Sequence, residues 1–114
     1  MNLREIEQEA VVVLSLEGDV VGGPEAQAIN ERLRELAEAG KKQVVLDVAE
    51  VGVVNSSGLG LLIAGLTVMR NAGGDLRLAR PSSKLKKLLE VTKLSQVFTV
   101  YDSVDEAVSS YAAA

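Results

Sequence analysis

The run Gln43-Val44-Val45-Leu46-Asp47-Val48, followed after a short interval by Asn55-Ser56-Ser57-Gly58 and an apolar stretch to Met69, decides the fold. Its first part is short, β-branched and almost unbroken by polar residues, which suits a central strand covered on at least one face. The stretch over residues 58–69 is too short to span a bilayer, stops at Arg70, and reads as a buried helix. Leu59, Leu61, Leu62, Leu66 and Met69 are expected to supply its core face. Strand followed directly by helix is the unit of an α/β sheet.

On the N-terminal side, two short strands are expected near residues 2–8 and 10–16, the second ending at Glu17-Gly18-Asp19. Gly22-Gly23-Pro24 marks a loop, with Pro24 at or just before the first turn of a helix. Ala26, Ile29, Leu33, Leu36 and Ala37 then recur at helical spacing, and Gly40 is a natural stop. On the C-terminal side, Gly73-Gly74 turns the chain into the alternating strand of residues 75–79. Ser82 or Ser83 can cap a short helix with Leu85, Leu88 and Leu89 inward. A last strand is expected at residues 97–100. Ser103-Val104-Asp105-Glu106 is a capping box that opens a final helix, with Val104, Ala107, Val108 and Tyr111 inward and residues 112–114 frayed.

The order β-β-α-β-α-β-α-β-α predicts an α/β fold: a small mixed, largely parallel sheet with an antiparallel strand at its start. At 114 residues, with no linker or repeat, the chain is read as one domain over residues 1–114. Apolar residues make up 47% and aromatics only 3%, so Val, Leu, Ile and Ala must build the core. A net charge of -4 with only short groups such as Lys84, Lys86 and Lys87 argues against nucleic acid as a partner. Those lysines read as the wet face of a helix. Zero cysteines and zero histidines remove thiol nucleophiles, Cys/His zinc sites and any Ser-His-Asp triad. With no basic n-region in residues 1–9 and no spanning segment, a cytoplasmic protein without a membrane role is expected.

Asn55-Ser56-Ser57-Gly58-Leu59-Gly60 contradicts local propensity. A helix starting at Ser57 would carry Gly58 and Gly60 in its first turn, each costing up to about 1 kcal/mol relative to alanine. Such glycines suggest that another molecule approaches the backbone. A hydroxyl at that position faces unpaired N–H groups and the positive end of the dipole, where a phosphoryl group would be tolerated. A plain N-cap role for Ser57 is the alternative. Asp47 reads either as a neighbour of Ser57 or as a strand-end residue. Residues 51–54 and Leu59 are candidates for an exposed apolar rim. Neither a dinucleotide nor a P-loop pattern is present, since Ile63 stands where a third glycine is needed and the lysine is absent.

Residues 44–47 followed by Asn55-Ser56-Ser57-Gly58-Leu59-Gly60-Leu61-Leu62 resemble the signature of bacterial anti-sigma factor antagonists of the STAS domain family. Leu16-Glu17-Gly18-Asp19, residues 81–94 and residues 103–107 resemble the family's remaining parts in the right order. The resemblance implies helices packed mainly on one face of the sheet and a partner-switching cycle. In that cycle the unmodified antagonist binds an anti-sigma factor that is also a serine kinase, which frees a sigma factor. Phosphorylation at the position of Ser57 reverses binding, and a phosphatase resets it. The resemblance gives Asn55, Ser56, Gly58, Leu59, Gly60, Asp19, Val21 and Gly22 supporting or partner-surface roles. It implies no cofactor and no catalytic residue in this chain, because magnesium and ATP belong to the kinase.

Two departures are visible. Asn55 replaces the family's usual Asp, and Val21 stands where many relatives carry an acidic residue. Both favour an alternative, a STAS scaffold module within a larger sensory or transport assembly that is never phosphorylated. A serine hydrolase using Ser57 with Lys41 or Lys42 fails the Gly-x-Ser-x-Gly pattern.

Overall fold

The computed structural model describes residues 2–112. Five strands lie side by side in chain order: β1 (Asn2–Gln8), β2 (Val11–Val20), β3 (Gln43–Val54), β4 (Asp75–Ala79) and β5 (Val100–Tyr101). The first pair is antiparallel and the other three are parallel. The helices are α1 (Pro24–Glu38), α2 (Ser56–Asn71), α3 (Ser83–Val91) and α4 (Val104–Ala112), in the order expected from the sequence. The frayed tail expected at residues 112–114 is corrected at Ala112, which ends α4; Ala113 and Ala114 lie outside the described residues.

Period-two alternation sorts the strand side chains between two cores. Val12, Leu14, Leu16, Val44, Leu46, Leu76 and Leu78 face α1, α2 and α3, and Leu33, Leu36, Leu62, Leu66, Met69, Leu85 and Leu89 close over them. Val11, Val13, Val45 and Ala79 face the other way, onto Ala107, Val108 and Tyr111 of α4. Three helices therefore cover one face and one covers part of the other. The Tyr111 hydroxyl shares its one proton between the carbonyl oxygens of Val44 (2.7 Å) and Asp75 (2.9 Å), which pins α4 across β3 and β4.

The strands differ from those expected at four places. Ala10 belongs to a two-residue turn rather than to a strand: Glu9 and Ala10 both have positive φ, 52° and 65°, between the partners Gln8 and Val11. That turn type favours Asn-Gly, so Glu-Ala gives no local signal. β2 continues past Glu17-Gly18-Asp19 to Val20, and β3 past Val48 to Val54, because the two pair through irregularities after Ser15 and Gly18. β5 lies at residues 100–101 rather than 97–100. A 3₁₀ turn over Leu94–Gln96 holds the N–H groups of Val97 and Phe98 on the Leu94 carbonyl, and Phe98 is buried.

Candidate functional site

The N-terminus of α2 forms where the long extensions of β2 and β3 end. Asn55 has an extended backbone (φ -95°, ψ -177°), and its side-chain oxygen accepts from the Gly58 N–H at 2.8 Å. Asn55 is thus the N-cap and the helix starts at Ser56, which corrects the expectation of a start or cap at Ser57. The amide oxygen supplies the same acceptor that an aspartate would, so exchanging Asp for Asn keeps the cap and removes only a charge. Ser56 and Ser57 occupy the first two helical positions and both are exposed. Among the described residues neither hydroxyl makes a hydrogen bond, and the first turn of α2 carries no acidic residue. The N–H groups of these two positions have no intrahelical partner.

The loop after β2 packs on this first turn. The Val20 carbonyl accepts from the Asn55 N–H at 3.4 Å. A Cβ at Gly58 would lie 1.8 Å from that carbonyl oxygen, so Gly58 lets the protein's own backbone in. No second molecule is needed to account for it, contrary to the sequence reading. Gly22, at φ +89°, sits against the Ser57 side chain, whose Cβ is 2.9 Å from where a Gly22 Cβ would stand. Only a residue that tolerates this left-handed conformation and lacks a side chain fits there. Val21 beside it is 45% exposed.

The structure therefore gathers Asn55, Ser56, Ser57, Val21 and Gly22 at one end of the sheet, with Gly60 exposed on the next turn and open around its Cβ position. It does not bring Leu59 to that surface. Leu59 is only 8% exposed and lies within the main core, so its partner-surface role is corrected. Gly58 is likewise buried. Asp19 is exposed, but its carboxylate accepts from the Val53 N–H at 2.8 Å and so ties the end of β2 to β3. Of the proposed apolar rim, Val51 is buried and Val54 partly so, while Val53 remains 52% exposed.

Asp47 lies within β3 rather than at its end. Its carboxylate receives two bonds from Arg80, at 3.0 and 2.6 Å, one from the Ala49 N–H at 3.2 Å and one from the Ser15 hydroxyl at 3.3 Å. Burial alone would raise this carboxyl, but the Arg80 bonds and charge, with Ala49 and Ser15, hold it below the ordinary aspartate value. Asp47 makes no bond to Ser57. Sequence reasoning missed Arg80, and no spacing or motif could have paired residues 33 positions apart.

The hydrolase alternative fails on geometry. Lys41 and Lys42 line a cleft with Gly73 and Gly74, at the far end of α2 from Ser57. A helix of 16 residues separates them, about 24 Å. Lys41 also pairs with Glu7. Among the described residues no group of His, Cys, Asp or Glu could hold a metal ion, and no helix is long and apolar enough to cross a membrane.

The STAS domain model matches residues 2–107 of this chain. A Thermotoga maritima relative assigned as an anti-sigma factor antagonist is 27% identical over 73 residues, 64% of this chain and 65% of its own length. The anti-sigma-B factor antagonist of Bacillus subtilis is 26% identical over 100 residues, 88% of either chain. The phosphorylated form of the Bacillus cell fate determinant SpoIIAA superposes with a TM-score of 0.75 at 17% identity, over 96% of this chain and 99% of that one.

Proposed function

The chain belongs to the STAS domain family, and from that premise we propose that it is an anti-sigma factor antagonist switched by phosphorylation of Ser57. The unmodified protein binds an anti-sigma factor with serine kinase activity and so releases a sigma factor. Phosphate on Ser57 breaks that complex, and a phosphatase restores it. The chain is then a kinase substrate and carries no catalysis of its own, and its place is the cytoplasm. The names of the curated relatives support the antagonist role, and the phosphorylated Bacillus protein shares the fold.

The choice of Ser57 over Ser56 rests on its place in the family motif, and one observation supports it: Ser57 is exposed at the second position of α2, with a free hydroxyl beside unpaired N–H groups. A phosphoryl group there brings about -1.5 to -2 charges onto a helix N-terminus that tolerates them. The same charge at a desolvated interface costs about 2–5 kcal/mol, tens- to thousands-fold in affinity. Asn55 adds no carboxylate to repel it. Docking and modification therefore compete for one patch.

The test is binding of purified wild type, Ser57→Ala and Ser57→Asp to the serine kinase isolated from the source cytosol, with mass spectrometry after incubation with ATP. Ser57→Ala should bind constitutively and Ser57→Asp at least roughly tenfold more weakly. Phosphate should map to Ser57 and not Ser56. Equal binding by both variants refutes the switch. A chain that binds but never takes label at Ser57 is instead the unphosphorylated scaffold.

A further inference from the structure

A second surface begins where the first ends. Val53 and Val54 lead directly into Asn55, and their side of β3 forms one wall of an open cleft of about 440 Å³. The other wall is α3, with Leu85, Leu88 and Val91. Val53 is 52% exposed and Val91 72%, two β-branched side chains left in water on opposite walls. Scattered single apolar residues need no explanation, but two facing each other across an apolar cleft do.

The rim has a sign. Lys84 and Lys87 stand on the α3 wall, one turn apart and exposed. Lys86 on the same helix pairs with Asp102 at 3.2 Å, whereas among the described residues no carboxylate lies within 4.0 Å of Lys84 or Lys87. In a chain of net charge -4, these are cations without an ion-pair partner among the described residues. Lysine stems can lie over leucines while the ammonium groups reach past them, so the cleft offers grease below and positive charge above.

From this pairing of apolar floor and basic rim, we infer that the β3–α3 cleft docks an acidic amphipathic helix of a partner protein, with aliphatic side chains seated between Val53 and Val91 and carboxylates on Lys84 and Lys87. Helix-in-groove recognition needs only a few such anchors at i, i+3 and i+4 spacing. On the antagonist reading proposed above, that segment belongs to the anti-sigma factor. The cleft then supplies affinity and electrostatic steering, while the neighbouring Ser57 supplies the switch. The two contributions are separable because α3 and the N-terminus of α2 are different elements.

The experiment uses the full chain and two synthetic amphipathic peptides of about 14 residues, long enough to cover α3. Both carry the same Leu/Val pattern, flanked by Glu in one and by Lys in the other. Methyl NMR and fluorescence anisotropy follow the titration. The Glu peptide should shift the Val53 and Val91 methyls and bind roughly tenfold or more tightly than the Lys peptide, with the difference shrinking as salt rises. The double variant Lys84→Glu/Lys87→Glu should reverse that preference. Val53→Ser/Val91→Ser, at exposed positions that leave the core intact, should weaken both peptides. The peptides are titrated into the unmodified chain with no kinase or ATP present, so the result does not depend on phosphorylation of Ser57 and a failed Ser57 switch and a failed cleft are told apart. Equal affinity for the two peptides, shifts elsewhere, absence of binding, or a dimer that hides Val53 and Val91 would each overturn the assignment.

Discussion

A methyl group added at residue 58 would meet the Val20 carbonyl oxygen at 1.8 Å, while one added at residue 60 would meet nothing within 4 Å. The two glycines look alike in the sequence, both within one helical turn, and there they suggest a single cause. They have different ones. Gly58 is fixed by backbone packing between β2 and α2, an approach no local pattern reveals because Val20 and Gly58 are separated by the whole of α1 and β3. Gly58→Ala should therefore destabilise the fold by about 2–3 kcal/mol, since a rigid carbonyl cannot yield as a side-chain tip would. Gly60→Ala should stabilise it by about 0.5–1 kcal/mol through helix propensity alone. Urea unfolding of both variants checks the pair, and a neutral Gly58→Ala would show that the carbonyl can move aside at little cost. The role of Asn55 as cap, one residue ahead of the serines, needed the geometry.

At the scale of elements, periodicity read helices better than strands. Helical spacing in residues 26–37 and 104–111 placed the buried faces of α1 and α4, because a 3.6-residue repeat is local. β2 and β3 were read short because their final residues pair across irregularities whose register is set by the partner strand. The same strands hold the tie that sequence could not show, Asp47 on β3 with Arg80 just after β4. The Asp47 carboxyl is held below its ordinary value in the fold, so it contributes stability above its unfolded pKa of about 3.9. That contribution is lost as pH falls through the lower folded value. Asp47→Asn should thus cost about 1–3 kcal/mol at pH 7. Its deficit should close on acidification below about pH 4, as wild type protonates the same group. Thermal melts from pH 7 to pH 2 follow this; a gap independent of pH would mean that Arg80 contributes packing rather than charge.

Across the whole molecule, the cores and the exposed serines of α2 occupy separate places. Mostly leucine side chains from three helices close over one face of the sheet, α4 closes part of the other, and both serines stand outside these cores. A charge at Ser57 therefore meets solvent and the positive end of α2, not the interior. Ser57→Asp should leave the protein as stable as wild type or more so, by about 0.3–1 kcal/mol at low ionic strength, with the gain fading in high salt. The slope of unfolding free energy against urea should not change, because the surface buried by folding is the same. On the proposed function, phosphorylation would release a partner without unfolding the chain, which requires Ser57 to be energetically idle in the free state. Destabilisation by more than about 1 kcal/mol would contradict that, since it would mean that Ser57 is tied to the packing of Gly22 and the β2 loop.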